Sequence, residues 1–181
     1  LLAIGPPEGA TTLFATKDMR KLADYPHDPF QPVVRGAFAN DGRDLWLVSA
    51  AGDPRLGSDA LLRWNPGTDE VRQSTTGNAR PRAVIATARG MFVAGNDQDM
   101  LADESLELRR LERSAGSEAT EGLATSADGR LVARAFRREV QVYDATSGAD
   151  VGPPLQSDSN AIDRIDALAF STDARQLLAR T

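Results

Sequence analysis

The run EGLATSADGRLVARAFRREVQVYDATSGADVGPPL spans residues 121–155 and shows most clearly how the chain folds. Apolar and polar residues alternate before the turn Asp128-Gly129, and the apolar stretch Leu131-Val132-Ala133 follows it. Alternation predicts a strand with one buried face, whereas a continuous apolar stretch predicts a strand covered on both faces. An Asp-Gly pair supplies the positive φ that a tight two-residue hairpin needs. The run therefore predicts short antiparallel strands joined by tight turns.

The same turn recurs along the chain. Its third positions are Gly42, Gly90, Gly129 and Ala174, which lie 39 to 48 residues apart. Periods of about 40 to 45 residues with several short strands each are typical of propeller blades. We therefore predict an all-β propeller with four-stranded antiparallel blades. The predicted units are residues 1–30, 31–78, 79–118 and 119–160, with the start of the next at 161–181.

Within a unit, the second strand is expected to be apolar throughout and the third to end in an aromatic or large apolar residue. The predicted third-strand ends are Phe14, Trp64, Leu111 and Tyr143. On this alignment, two units carry extra residues between their second and third strands, at 52–59 and 96–104. Short fourth strands follow, as at residues 71–73 and 150–152.

Three runs, residues 34–52, 121–155 and 161–180, resemble the bacterial form of WD40 repeats, the WD-repeat β-propellers. They share a turn of the Ser-x-Asp-Gly-Arg type followed by an apolar strand, and the run at 121–155 continues into the strand Val-x-Val-Tyr-Asp. The Trp-Asp pair of the family's repeat appears here as Trp64-Asn65 and Tyr143-Asp144. The family's Gly-His pair is absent, since His27 is the only histidine of the chain. The resemblance implies a rigid platform on which proteins or peptides assemble, and such platforms are seldom enzymes.

Composition narrows the function classes. The chain has 181 residues, a net charge of −5 and no cysteine. The negative charge removes the electrostatic basis for wrapping nucleic acid. The lack of cysteine excludes a disulfide framework, a zinc–thiolate site and a cysteine nucleophile. No apolar run reaches the length of about 18 residues that a transmembrane helix needs. A protein or peptide partner is therefore expected.

Both ends of the chain fall inside apolar, strand-like segments, around Leu2 and Leu178. We therefore expect a fragment of about four blades from a larger ring, with additional blades in the intact protein. Unpaired strand edges are expected to make the isolated piece associate. The sequence does not determine the compartment, and we expect a cytoplasmic one.

No pattern in the chain predicts catalysis, a cofactor or a metal. His27 stands beside Asp28 in a proline-flanked loop, and adjacent residues do not form the nucleophile, base and orienting group of a triad. Asp97 and Asp99 offer carboxylates at alternate positions, but Ala102 stands where a calcium loop needs glycine. We therefore expect no catalytic, cofactor-binding or metal-binding residue.

Acidic residues gather in and beside the two extra segments. Insertions at one phase of a repeat emerge on one face of the array, so these residues are predicted to form a shared rim for a basic partner segment. The alternative is that surface insertions simply favour solvated acids. The candidate rim residues are Asp53, Asp59, Asp97, Asp99, Asp103 and Glu104.

Two arginine clusters lie within or beside predicted strands, next to acids such as Glu107, Glu112 and Glu139. An anion site is one interpretation, and outward cross-strand pairing is the one that we favour. The clusters are Arg109, Arg110 and Arg113, and Arg134, Arg137 and Arg138.

Taken together, these patterns predict a non-catalytic protein-interaction scaffold or sensing module of a larger bacterial signalling protein. The alternative is a propeller enzyme or a periplasmic ligand sensor whose site lies in blades outside this segment.

Overall fold

The computed structural model of the chain describes residues 2–4, 11–25, 33–49, 59–96, 98–111, 122–136, 139–156 and 165–180. These residues form seventeen strands and one short 3-10 helix, Gly77–Ala79. The strands make five antiparallel sheets, numbered here first to fifth in chain order.

Each sheet is built from strands that are consecutive in the chain. The first sheet contains β1 (Leu2–Ile4), β2 (Thr11–Phe14) and β3 (Lys21–Tyr25), and the second contains β4 (Val33–Phe38), β5 (Leu45–Ser49), β6 (Ala60–Asn65) and β7 (Glu70–Thr75). The third contains β8 (Pro81–Thr87), β9 (Gly90–Gly95), β10 (Met100–Asp103) and β11 (Leu108–Arg110). The fourth contains β12 (Leu123–Thr125), β13 (Leu131–Phe136), β14 (Glu139–Asp144) and β15 (Leu155–Gln156), and the fifth contains β16 (Ala167–Phe170) and β17 (Leu177–Arg180).

The sheets stack face to face, and side chains of the second strands alternate between the two seams. Leu45 and Leu47 of β5 pack towards the first sheet, in a cluster with Leu13 and Tyr25. Trp46 of the same strand packs towards the third sheet. All five residues of β5 are buried, which confirms the prediction that this strand is covered on both faces. Burying a large apolar side chain contributes roughly 1.5–3 kcal/mol, so these seams hold the sheets together.

The first strands of the second to fifth sheets, β4, β8, β12 and β16, contact one another in sequence. They therefore lie nearest to a common centre, and β7, β11 and β15 lie at the outer edges. Antiparallel sheets of four strands arranged in this way make an all-β partial propeller, as predicted.

The third sheet corrects one strand assignment. Its third strand is Met100–Asp103, inside the segment 96–104 that was predicted to be an insertion. The predicted third strand, which ends at Leu111, is the fourth: Leu108–Arg110 pairs with β10 at the outer edge. Met100, Leu101 and Ala102 are buried, but acids flank this short strand and gave it the appearance of a loop.

The turns between first and second strands are longer than predicted. Ala39 N donates to Asp44 O and Ser126 N to Leu131 O, so the Asp-Gly turns are four-residue loops. In each loop the carboxylate accepts a nearby backbone N–H, as Asp128 Oδ1 does from Arg130 N at 3.0 Å. Only between β8 and β9, at Ala88-Arg89, do the described residues form the predicted two-residue turn.

The outer strand of the fourth sheet also departs from the prediction. Asp150 pairs with Tyr143 as an isolated bridge, and regular strand pairing at this outer edge covers Leu155–Gln156. Gly152, Pro153 and Pro154 lie between the bridge and this short strand. Regular pairing is interrupted there because proline has no backbone N–H to donate to a ladder. This sheet therefore has a shorter outer strand than the second sheet, in which β7 pairs over six residues.

Candidate interaction surfaces

The described members of the predicted acidic rim do not lie together. Asp59 and Asp99 each precede a third strand, at the end of the sheet where second strands finish. Asp103 ends β10, where it pairs with Gly90 at the start of β9, and Glu104 follows it. Because β10 runs antiparallel to β9, Asp103 and Glu104 lie at the opposite end of the third sheet from Asp99. Asp53 and Asp97 lie outside the described residues.

Asp103 and Glu104 are held in their own turn and at the neighbouring sheet. Asp103 Oδ1 accepts hydrogen bonds from Ser105 N at 2.8 Å, Ser105 Oγ at 2.7 Å and Glu107 N at 3.0 Å. The bond from the Ser105 hydroxyl is the main cause that lowers the pKa of Asp103. The Glu104 carbonyl accepts a hydrogen bond from Arg63 Nη1 of the second sheet. These two residues therefore shape the turn between β10 and β11.

Asp99 is fully buried and pairs with Arg134, whose side chain is also 0% exposed. Arg134 Nη1 donates to Asp99 Oδ2, and Nη2 donates to the Gly95 carbonyl at 3.0 Å. Gly95 N donates to Asp99 Oδ1 at 3.2 Å, and the Tyr143 hydroxyl bonds to the same carboxylate. The pair joins the third sheet to the fourth. The prediction of an exposed Asp99 is therefore wrong, and so is that of an outward Arg134.

The protonation of this network follows from its burial. Burial raises the pKa of the Asp99 carboxyl, and the Arg134 guanidinium opposes that shift. Burial and the Asp99 charge together raise the pKa of Tyr143, which therefore stays protonated and donates to the carboxylate. The carboxylate thus receives donors from two sheets, and its function is to join them.

One signal in the sequence could have identified Arg134. The second strands of the other sheets have apolar residues at the same position, Leu47 in the second sheet and Val93 in the third. The three positions are equivalent because each pairs with the same position of its first strand: Arg134 with Leu123, Leu47 with Gly36 and Val93 with Val84. An arginine in the middle of an apolar strand indicates a buried partner, because an unpaired buried charge is very costly. The identity of that partner depends on how the sheets stack.

The other arginine cluster borders a groove at the outer edge of the third and fourth sheets. Arg109, Arg110 and Leu111 line one side, and Tyr143 and residues 147–150 line the other. Among the described residues Arg109 bonds to the fourth sheet rather than to a neighbouring acid: its Nη1 donates to Ser147 O at 2.5 Å and its Nη2 to Thr146 O at 2.7 Å. Arg113, Arg137 and Arg138 lie outside the described residues, as does His27.

Polar contacts also join the turns of neighbouring sheets. Asn40 of the second sheet donates from Nδ2 to the Thr87 carbonyl of the third. Ala88 N of the third sheet donates to the Gly129 carbonyl of the fourth at 2.9 Å. These contacts lie at the end of the sheets that carries the turns between first and second strands. Adjacent turns are therefore fixed relative to one another.

Among the residues that the structure describes, none forms a helix with the length and apolarity that a membrane crossing requires.

The sequence matches no protein-family model and none of the curated proteins. Solved structures resemble it over 98% of its length. One is the β-propeller domain of Cps50 (Swd1) from Myceliophteria thermophila, with a TM-score of 0.73 and 13% identity. Another belongs to the mitotic checkpoint complex, with a TM-score of 0.76 and 16% identity. The chain spans 62% and 52% of the lengths of these two proteins. Its sheets and their stacking are thus those of a β-propeller, of which the described residues form a part.

Proposed function

We propose that the chain is a non-catalytic propeller that serves as a protein-interaction scaffold or sensing module of a larger bacterial signalling protein. The observation that carries this proposal is the set of polar contacts that fix turns of neighbouring sheets to each other. Two of them join turns, Asn40 to Thr87 and Ala88 to Gly129. A third joins strand β11 to a turn, from Arg109 to Thr146 and Ser147.

Fixed turns suit recognition of a protein surface. Binding a partner costs about 0.5–1.5 kcal/mol for each flexible side chain that becomes ordered, and a surface ordered in advance avoids much of this cost. Turns held by bonds to the next sheet present their polar groups in one arrangement. The likeness to a chain of the mitotic checkpoint complex supports the same role, since that protein is part of a complex.

The test is capture of partners by the intact protein, with its natural flanking sequence, in the cells that produce it. We expect a protein partner that can then be purified and titrated against the intact protein by calorimetry, with a saturable stoichiometry. A matched titration with heat-unfolded protein controls for adhesion to exposed apolar surface.

A different result would support the alternative function. Turnover of a small molecule by the intact protein, or saturable binding of one without any protein partner, would contradict the scaffold and indicate a propeller enzyme or a ligand sensor. Sequencing the flanking coding region sharpens the outcome, since a signalling protein is expected to carry an effector domain beside further units.

A further inference from the structure

The groove between the third and fourth sheets has a volume of about 740 Å³. Sites for ligands typically measure about 300–1,000 Å³, so a side chain or a short peptide segment fits in it. Its innermost lining is apolar, with Leu111 4% exposed and Tyr143 1% exposed. Charged and polar residues surround this apolar base: Arg109, Arg110, Ser147 and Asp150.

Contacts between the two sheets fix the shape of the groove. The two hydrogen bonds from Arg109 hold the turn at residues 146–147 against the third sheet. Gly148 has a φ of +69°, and a Cβ atom there would lie 2.4 Å from Leu111 Cδ2. Glycine thus allows the turn to approach the groove base closely. The groove therefore exists before any partner binds.

The wall formed by β11 offers open backbone groups. Leu111 N donates to Asp99 O, and Glu107 O accepts from Asp103 N, so alternate residues of this strand face β10. By the antiparallel pattern, the backbone groups of Leu108 and Arg110 point outward. β11 lies at the edge of its sheet, with β10 as its only neighbour among the described residues. An extended peptide can therefore pair with it as an added strand.

The side chains of β11 determine what such a peptide must carry. Leu108 packs in the seam with the second sheet, and Arg110, two residues on, shares that face. Leu111 packs in the seam with the fourth sheet, on the groove side. Side chains opposite each other on paired strands lie on the same face of the sheet. The peptide residue opposite Arg110 is therefore expected to be acidic. The peptide residues on either side of it lie on the other face, over Leu111 and Tyr143, and are expected to be apolar.

Charge favours the same occupant. Arg110 carries the positive charge on the face that the peptide residue opposite it would share, whereas Arg109 already donates to Ser147 O and Thr146 O. A basic residue opposite Arg110 would be repelled, whereas an acidic one would complement it.

We propose that this groove is a docking site for an extended segment of a protein partner in which acidic and apolar residues alternate. The proposal rests on the scaffold function and assigns it a surface and a partner chemistry.

The test uses a fluorescein-labelled decapeptide of alternating Glu and Leu, titrated with the full chain and followed by fluorescence anisotropy. We expect saturable binding that weakens about tenfold or more in Arg110→Glu, because a charge pair is replaced by repulsion. Ala149→Trp places a large ring in the groove and is expected to block binding without a charge change. The matched control is Arg72→Glu, an exposed arginine on the outer strand of the second sheet, which is expected to bind as the wild type does.

Circular dichroism and thermal melting confirm that each variant is folded before its binding is compared. Equal weakening in Arg110→Glu and Arg72→Glu would overturn the proposal, as would equal affinity for a Lys–Leu decapeptide. Tighter binding of inorganic phosphate or of a phosphopeptide in the same site would overturn the acidic segment as the partner. A protein captured by the intact protein that Arg110→Glu and Ala149→Trp both leave bound would overturn this site and leave the scaffold function standing.

Discussion

Two neighbouring seams pack sheets together with different side chains. One seam lies between the second and third sheets, and the other lies between the third and fourth sheets. The first is apolar throughout its buried cluster, where Trp46 and Val48 meet Met91 and Val93. The second has an apolar cluster around Phe92 and Tyr143 and, in addition, the buried Arg134–Asp99 pair.

The two seams are expected to respond differently to substitution. When a side chain in an apolar seam is shortened, the free energy of unfolding falls with the number of buried atoms that are removed. A buried ion pair adds little net stability, because desolvation offsets the attraction, but removing one partner leaves the other charge buried alone. The hydroxyl of Tyr143 also bonds to the Asp99 carboxylate, so a change at Asp99 affects this side chain too. We therefore expect the seam with the ion pair to be tolerant of paired changes and intolerant of single ones.

The largest effect is expected from Arg134→Leu, which gives the fourth sheet the residue that Leu47 supplies in the second. The variant leaves Asp99 buried without its cation, so the free energy of unfolding should fall by about 3–5 kcal/mol. Urea unfolding followed by tryptophan fluorescence measures the change.

Its control is the double variant Arg134→Leu/Asp99→Asn, which removes both charges and keeps an acceptor for Gly95 N and Tyr143. We expect it to recover most of the loss. If the single variant is as stable as the wild type, the two seams do not differ in the way described.

A smaller effect is expected where the turn of the fourth sheet meets the third. Gly129 and Gly42 have φ angles of +70° and +66°, so alanine strains both, at about 1 kcal/mol. A Cβ on Gly129 would also lie 2.5 Å from Ala88 N, whereas nothing lies within 4 Å of one on Gly42. Gly129→Ala should therefore destabilise by about 1–2 kcal/mol more than Gly42→Ala. Thermal unfolding of both variants isolates the contact between sheets, and equal losses would show that this contact is unimportant.

A gain of stability is expected from Ala174→Gly. Ala174 occupies the equivalent turn of the fifth sheet with a φ of +57°, where the other two Asp-containing turns have glycine. Relief of this strain should exceed the entropy that glycine adds to the unfolded chain and stabilise by about 0.5–1 kcal/mol. Differential scanning calorimetry tests the change, with Ala127→Gly as the control in a turn position without positive φ. A lower melting temperature for Ala174→Gly would contradict the expectation.

The smallest effect concerns pH and the carboxyls of the turns, whose pKa values shift in the opposite direction to that of the buried Asp99. Hydrogen bonds, first of all from the Ser126 hydroxyl, lower the pKa of Asp128 below its ordinary value of 3.8. A carboxyl with a lowered pKa stabilises the fold above pH 3.8, and this stabilisation is lost as the pH falls through the lowered pKa. Hydrogen bonds within the turns also lower the pKa of Asp103, Asp144 and Asp173. Stability should therefore decline below about pH 4.

Carboxyl chemical shifts measured by NMR test the cause. In Ser126→Ala the pKa of Asp128 should rise towards 3.8, while that of Asp173, which has its own serine hydroxyl, stays lowered. An unchanged pKa for Asp128 would show that the hydroxyl is not the cause.

The strands that sequence predicted best are those with a long local pattern. β5, β9 and β13 follow a turn signal and are apolar over several residues, and all three lie where predicted. β10 was not predicted because it is only four residues long, is flanked by acidic residues and follows no turn signal. That error also placed Asp103 and Glu104 at the wrong end of the sheet, since a missing strand reverses the direction of everything after it.

The repeating unit, the antiparallel strands and their buried faces could be predicted from sequence, because alternation and turn chemistry act between residues close in the chain. The pairing of Asp99 with Arg134, 35 residues away, and the groove between β11 and the turn after β14 could not be predicted in this way. Both depend on how separately formed sheets stack. Stacking depends on the shape and charge of two whole surfaces, which no local pattern specifies.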